Sequence, residues 1–168
     1  MAAYDISDSE DLAYKLARFS FVTVLRNEGV RTEVCGRLTN QGYRLVVSDA
    51  RLWVDDGGLT ETINSTFGIA SWPGMEGLSE FFDEWLIDGY EQWVSPHAGI
   101  VFVLENFDEF TRKNPTSADD LLNTVAEGCR QGALIGLRFL CLLTADDTGL
   151  WFRNYDSTKV WTYPFLSV

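Results

Sequence analysis

The sequence predicts a single α/β domain built on a parallel β-sheet, and two observations support this fold class. Residues 100–104 form a continuous run of β-branched, aromatic and leucine residues, and residues 137–143 are apolar except for Arg138; both patterns are typical of strands buried on both faces of a parallel sheet. Predicted strands and helices also alternate along the chain, which is the element order of α/β proteins. With 168 residues, 46% of them hydrophobic, residues 1–168 suit one compact domain.

The first 42 residues are predicted to form an N-terminal extension, a helix followed by part of a β-meander. Ser7 or Ser9 is a suitable N-cap for a helix that ends at Phe19. Residues 21–25 and 32–39 are rich in β-prone side chains, and the Asn-Glu-Gly and Asn-Gln-Gly sequences that follow them are good turn sequences. We therefore expect small antiparallel pairings here.

Residues 43–144 are predicted to form the core of the domain. A strand is expected over residues 43–47, and a short helix is expected to end by Gly68. A later helix is expected to start at the N-cap Ser117 and to end at Gly132. Its core face is formed by Ala118, Leu121, Leu122, Val125, Ala126 and Cys129. Residues 145–168 are predicted to add a C-terminal β-hairpin.

Residues 67–88 combine a Gly/Pro/Trp loop with an amphipathic helix whose polar face is entirely acidic. Like charges at i, i+4 destabilise an isolated helix, so this face is not arranged for the stability of the helix itself. A partner-binding surface is one interpretation, and a solvated face of an acidic protein is the other. The apolar face comprises Leu78, Phe81, Phe82, Trp85 and Leu86, and the acidic face comprises Glu76, Glu80, Asp83, Glu84 and Asp88.

The composition limits the kinds of partner. With 25 acidic residues against 13 lysines and arginines, the formal net charge is -12, which opposes unaided binding to nucleic acid or an anionic membrane and favours a basic partner. No N-terminal signal sequence is recognisable, and the longest apolar run is too short to cross a bilayer, so we expect a cytoplasmic protein. Cys129 and Cys141 are expected to be buried core residues.

The sequence offers little catalytic chemistry. It contains one histidine, His97, which we place in a loop, and it has no CxxC or HExxH spacing, so we predict no metal site. There is no GxSxG, no Walker loop and no GxGxxG, and carboxylate pairs carry little information in so acidic a chain. We therefore expect a protein that is not an enzyme and that needs no cofactor.

Residues 43–144 resemble the barstar family of ribonuclease inhibitors. The resemblance rests on Trp72-Pro73-Gly74, on the following acidic helix, on the strand that ends Val103-Leu104-Glu105, and on Glu127. It requires one inserted residue near Gly77. It implies a barstar-like three-stranded parallel sheet flanked by helices, with the N-terminal helix and meander and the C-terminal hairpin as additions.

The resemblance also implies a function: an acidic inhibitor, or immunity protein, that occludes the cationic active site of a ribonuclease toxin. In that alignment Trp72 replaces a loop tyrosine, Asp83 and Glu127 take the places of acidic contact residues, and Ser79 replaces an aspartate for which Glu80 compensates. The full set expected to bind the toxin is Trp72, Gly74, Glu76, Ser79, Glu80, Asp83, Glu84 and Glu127.

Two other functions are compatible with the sequence. An immunity protein of another family, directed at a toxin that is not a ribonuclease, fits the size and acidity equally well. A structural or oligomerisation module that uses some of the six tryptophans is the other alternative. In each case we expect a monomer or weak dimer when the protein is free.

Overall fold

The computed structural model describes residues 10–26, 28–55, 57–67, 78–79, 82, 97–145 and 161–162, and these residues form an α/β fold with an all-parallel sheet. Within them the sheet has five strands in the order β2-β3-β4-β1-β5, and each neighbouring pair is parallel. The strands are β1 (Val22–Leu25), β2 (Tyr43–Asp49), β3 (Gly99–Glu105), β4 (Phe139–Thr144) and the two-residue β5 (Trp161–Thr162).

Helices alternate with these strands along the chain. They are α1 (Leu12–Ala17), α2 (Glu28–Asn40), α3 (Gly58–Phe67), α4 (Phe107–Lys113) and α5 (Pro115–Leu134), and a short 3₁₀ turn (Ala50–Leu52) follows β2. None of the helices in the described part of the chain has the length and hydrophobicity needed to span a membrane.

The alternation of side chains along the strands divides the core into two clusters. In β3, Ile100, Phe102 and Leu104 belong to one cluster, whereas Val101 and Val103 belong to the other. Helices α3, α4 and α5 supply apolar side chains to the first cluster, and α1 and α2 supply them to the second. The sheet is therefore covered on both faces, as predicted from the continuous apolar runs.

The N-terminal meander predicted from the sequence is wrong. Residues 32–39, predicted as a strand, lie within the helix α2, whose buried residues Val34 and Leu38 are one helical turn apart. Strand β1 pairs in parallel with both β4 and β5, so it lies inside the sheet rather than in an antiparallel addition. The three-stranded barstar-like sheet is likewise not what the chain forms.

The predicted C-terminal hairpin is also not found in the described residues. Trp161–Thr162 is a strand parallel to β1, with Trp161 opposite Thr23 and Thr162 opposite Val24. The other residues between 146 and 168 lie outside the described residues.

Helix boundaries differ from the predicted ones by a few residues. The N-cap of α1 is Asp11, whose carboxylate accepts a 2.7 Å hydrogen bond from the backbone N–H of Ala13; the predicted caps Ser7 and Ser9 lie outside the described residues. Helix α5 begins at Pro115 rather than after Ser117, because proline at the first helical position already has a helical φ. It extends two residues beyond Gly132.

The core face predicted for α5 is confirmed, and all six of its residues are buried. Cys129 and Cys141 are fully buried in the same cluster, and burial raises the pKa of both thiols. Leu78 and Phe82, predicted on the core face of the acidic helix, are buried as well, and the Phe82 ring meets Phe102 edge-on at a centroid distance of 5.9 Å.

Candidate functional site

A crevice opens where the carboxyl ends of the parallel strands meet. Leu25 ends β1, Glu105 ends β3 and Thr144 ends β4, and all three line a cavity of about 350 Å³. We call it the carboxyl-edge crevice; it is lined by Leu25, Arg26, Glu28, Arg31, Arg51, Glu105, Asn106, Thr144 and Ala145. In open α/β sheets this edge is the usual place for a ligand.

The N-terminus of α2 lies at one side of the crevice. The helix starts at Glu28, with only two residues between it and the end of β1, so its unpaired backbone N–H groups and positive dipole end lie close to the strand ends. Arg26 in the connection is exposed and has no ion-pair partner among the described residues. This side of the crevice therefore carries positive charge that the described chain does not neutralise.

An ion pair joins α2 to the end of β3 inside the crevice. The guanidinium of Arg31 donates to the carboxylate of Glu105, and its other nitrogen lies 3.4 Å from a carboxylate oxygen of Glu28. The side chains of Arg31 and Glu105 are 28% and 23% exposed. Because the pair is only partly buried, an anion that enters the crevice can compete with Glu105 for Arg31.

A hydrogen-bonded network connects the ends of β2, β3 and β4. The side-chain amide of Asn106 donates to Asp49 at 2.9 Å, and the backbone N–H of Asn106 donates to the hydroxyl of Thr144 at 3.0 Å. Asn106 has φ 53° and ψ 36°, in the left-handed region that asparagine tolerates better than most residues. The network therefore holds the floor of the crevice in one geometry.

Asp49 also binds Arg51. Nε of Arg51 lies 3.0 Å from both carboxylate oxygens, and Nη2 lies 2.6 Å from Oδ2. The hydrogen bonds from Arg51, and secondarily the one from Asn106, lower the pKa of Asp49 to about 2. Asp49 is therefore ionised throughout the neutral range, and it holds the Arg51 guanidinium in position at the crevice.

The crevice is far less acidic than the protein as a whole. Three arginines, Arg26, Arg31 and Arg51, line it, and the carboxylates of Glu28, Glu105 and Asp49 balance their charge, so the site is locally neutral, whereas the chain carries -12. The absence of net negative charge, together with Arg26, which is unpaired among the described residues, and a helix N-terminus, suits an anionic ligand. Among the described residues, no group of three or more His, Cys, Asp or Glu side chains is placed to hold a metal ion.

The residues predicted to bind a partner are not assembled in this crevice. Trp72, Gly74, Glu76, Glu80, Asp83 and Glu84 lie outside the described residues. Ser79 is exposed. Glu127 is exposed on α5, where hydrogen bonds from Arg130 at 2.9 and 2.5 Å and from Gln131 at 2.9 Å lower its pKa to about 2. Glu127 does not line the crevice.

Comparison with known proteins does not support the barstar resemblance. No protein-family model matches the chain, and no curated protein matches it in sequence. The three-dimensional similarity is to the α/β fold of solved ORC2 structures rather than to the barstar fold.

The solved structures with a similar fold include two of the ORC2 protein from Aeropyrum pernix. The ADP form superposes with a TM-score of 0.54 and 16% sequence identity over 84% of this chain and 41% of the ORC2 chain. The structure described as ADPNP-ADP complexes gives a TM-score of 0.52 and 16% identity over 86% of this chain and 42% of the ORC2 chain. The chain thus spans about two fifths of the ORC2 length, and the likeness concerns the fold.

These findings correct the function predicted from the barstar resemblance. The sheet has more than three strands, and it includes β1, which was predicted to belong to a separate meander. The solved structures that the fold resembles are of ORC2 and not of a ribonuclease inhibitor. Inhibition of a ribonuclease toxin, the basic toxin partner and the related immunity functions are therefore wrong as predictions. The short motifs were misleading because a Trp-Pro-Gly loop and an acidic helix occur in many folds.

The residues that line the crevice were not predicted from the sequence, although one feature of the sequence indicated some of them. Glu105 and Asn106 follow the first buried run directly, and Thr144 follows the second. Carboxyl ends of parallel strands meet at one edge of a sheet, so these polar residues were bound to lie close together. Arg31 was not recognised as a site residue because residues 32–39 were predicted to form a strand. Arg31 was therefore not expected to lie near the N-terminus of a helix.

Proposed function

We propose that the carboxyl-edge crevice binds the phosphates of a nucleotide, and that the protein binds this ligand without hydrolysing it. The observation that carries the proposal is a cavity with three arginines at the carboxyl ends of parallel strands, in front of the N-terminus of α2. Phosphate groups bind favourably to helix N-termini and to arginine. ADP and ADPNP, named for the two ORC2 structures, are ligands of this class.

The side chains fit a phosphate in different ways. Arg26 is exposed and has no ion-pair partner among the described residues, so it is available to a ligand without breaking an internal contact. Arg31 lies in the first turns of α2 and must be released from Glu105 to bind an anion. Arg51 is held by Asp49 and supports the opposite side of the crevice. The cavity volume of about 350 Å³ is at the lower end of the range for small-molecule sites.

Two features favour binding without hydrolysis. The connection from β1 to α2 consists of Arg26 and Asn27 alone, and the sequence has no GxxxxGK[ST] loop whose backbone and lysine would cradle the terminal phosphates. Glu105, the acidic residue at the end of β3, is engaged by Arg31 rather than available to hold a magnesium ion. The proposal thus keeps the expectation that the protein is not an enzyme.

Titration of the full chain with a fluorescent ADP analogue tests the binding. We expect saturable binding that Arg26→Gln weakens about tenfold, because a charge-assisted hydrogen bond contributes about 1.5–3 kcal/mol. Arg37→Gln is the matched control, since it removes the same charge from α2, the helix that follows Arg26, at a residue that does not line the crevice. Equal affinity of the two variants, or no binding at millimolar ADP, would contradict the proposal.

The Arg31–Glu105 ion pair provides a second test, in which the substitution is expected to strengthen ADP binding rather than weaken it. Glu105→Gln keeps the size of the side chain but removes the negative charge that competes with phosphate, so we expect tighter ADP binding. Weaker binding would indicate that Glu105 contacts the ligand or its metal directly. Release of phosphate from Mg²⁺-ATP above the buffer rate would show that the protein hydrolyses its ligand, against the second half of the proposal.

A further inference from the structure

A second concave surface lies on the outer side of β2, away from the carboxyl-edge crevice. It is a cavity of about 450 Å³ between the end of β2 and α3, and we call it the β2 groove. Val47 and Leu52 supply its apolar walls, Trp53 and Gly58 lie at its base, and Glu61 on α3 lies at its rim. Only β3 pairs with β2 among the described residues, so β2 is the edge strand at this end of the sheet.

The base of the β2 groove is fixed by satisfied polar contacts and by aromatic packing. The indole N–H of Trp53 donates to the hydroxyl of Ser48 at 2.9 Å, and this hydroxyl also lies 2.7 Å from that of Thr62. The Trp53 ring packs edge-on against Phe107 and Phe110, at centroid distances of 6.0 and 5.1 Å. The groove is therefore preformed and does not need a ligand to order its base.

Large apolar side chains are exposed along this edge. Val47 is 50% exposed although it belongs to a strand, and Leu52 and Val54 are 79% and 91% exposed. All three follow one another within eight residues of the chain, at the end of β2 and in the turn after it. An unpaired strand edge that carries exposed apolar side chains is suited to pairing with another strand.

The charges around the β2 groove are negative. Glu61 and Asp55 are exposed, and neither forms an ion pair with another described residue. Arg51 is the one cation of the adjoining turn, and it is neutralised by Asp49. An occupant that carries lysine or arginine next to its apolar side chains would therefore complement the rim, whereas an acidic occupant would be repelled.

We propose that the β2 groove binds an extended segment of a partner protein in which apolar and basic side chains alternate, and that this segment adds to β2 as a further strand. Main-chain hydrogen bonds to the free edge of β2 supply affinity, while Val47 and Leu52 receive the apolar side chains and Glu61 pairs with a basic one. The inference does not depend on nucleotide binding, because the crevice and the groove share only the Asp49–Arg51 pair.

The test uses the full chain and three fluorescein-labelled octapeptides, measured by fluorescence anisotropy. The first alternates valine and lysine, the second alternates valine and glutamate, and the third is the valine–lysine peptide with its alternate backbone nitrogens methylated. We expect saturable binding of the first peptide alone, because the second is repelled by the rim and the third lacks the N–H groups needed to pair with β2.

Two charge reversals separate specific docking from general attraction to an acidic protein. Glu61→Lys is expected to weaken binding of the valine–lysine peptide about tenfold, since it places like charges against each other. Asp120→Lys, at an exposed carboxylate on α5, changes the net charge by the same amount and is expected to leave the affinity within about twofold. Equal effects of both variants, equal binding of the methylated peptide, or no binding of the first peptide would overturn the proposal.

Discussion

Asn106 is the residue on which the geometry of the carboxyl-edge crevice depends most directly. It has the left-handed backbone conformation at the point where β3 turns into α4, and its side chain and backbone N–H reach two neighbouring strands. This position requires a residue that adopts the left-handed conformation at modest cost and that also donates a side-chain hydrogen bond. Few residue types other than asparagine and aspartate combine the first property with a short polar side chain.

Two substitutions of Asn106 separate the contribution of the backbone from that of the side chain. Asn106→Gly and Asn106→Ala both remove the hydrogen bond to Asp49, which contributes about 1 kcal/mol. Alanine in addition has to adopt the left-handed conformation, so we expect Asn106→Ala to lower the free energy of unfolding by about 1 kcal/mol more than Asn106→Gly. Urea denaturation measures both; equal stability of the two variants would contradict this assignment of the strain.

The lowered pKa of Asp49 predicts that the stability of the protein falls at acidic pH. Its pKa is about 2 in the folded protein and about 3.9 in an unfolded chain, so the folded state favours the ionised form. The resulting stabilisation is present above about pH 3.9 and is lost as the pH falls through about 2. We expect the difference in unfolding free energy between the parent chain and Asp49→Asn to shrink between pH 5 and pH 2. A difference that stays constant over this range would show that Asp49 acts through shape alone.

At the scale of elements, the packing of α5 on the sheet requires a glycine at a specific point. Gly128 is buried, and a Cβ atom at this position would overlap the ring of Phe82, which in turn packs against Phe102 on β3. Gly128 therefore lets the Phe82 ring lie directly against the backbone of α5. The close approach fixes where the Phe82 ring lies between Gly128 and Phe102.

A matched pair of glycine-to-alanine substitutions tests this packing. Gly128→Ala is expected to destabilise the protein by about 1–3 kcal/mol, because an overpacked core costs more than the gain in helix propensity. Gly36→Ala, on the exposed side of α2 with open space around it, is expected to stabilise by up to about 1 kcal/mol. Thermal denaturation followed by circular dichroism compares them; a stable Gly128→Ala variant would place Phe82 elsewhere.

The helix α2 shows where local sequence and tertiary context disagree. Its β-branched residues Val30, Thr32 and Val34 have high strand propensity, and only Val34 and Leu38 are fully buried, so no strong helical period is visible in the sequence. The helix forms because Val34 and Leu38 complete the core on one face of the sheet. A Glu33–Arg37 ion pair at i, i+4 adds a small further contribution.

At the scale of the whole molecule, net charge is expected to act against stability. The formal net charge is -12, so the excess carboxylates repel one another in the compact state. Most described ion pairs are at least partly exposed, and each contributes little to the free energy of unfolding. We expect the melting temperature to rise by about 2–4 °C between low and moderate sodium chloride, as screening reduces the repulsion by about 1 kcal/mol. Potassium chloride serves as the control for a specific cation, and a fall in melting temperature would show that attractive pairs dominate.

Much of the fold was predictable, because the pattern of apolar side chains in these segments indicates which faces are buried. Apart from Arg138, which lies just before β4, the runs 100–104 and 137–143 have no polar face, so burial on both sides of a parallel sheet was the arrangement that suited them. The apolar stripe of α5 predicted its buried face for a similar reason. In both cases the pattern of side chains is itself the physical cause of the structure.

The candidate site was much less predictable, because its members are far apart in sequence. Arg31 and Glu105 are 74 positions apart, and Asp49 and Asn106 are 57 apart. Each of these residues alone resembles an ordinary charged or polar surface residue. Their contacts exist because four parallel strands end at the same edge of the sheet.

The sequence by itself determined the fold class, the buried strands and the core face of α5, since each depends on a local pattern of apolar side chains. The tertiary structure alone decided that residues 32–39 are helical, that β1 and β5 pair in parallel, and that three arginines meet at the carboxyl edge of an acidic protein. These features depend on which strands become neighbours. Strand order is set by the burial of the whole sheet, a free energy that no short stretch of sequence contains.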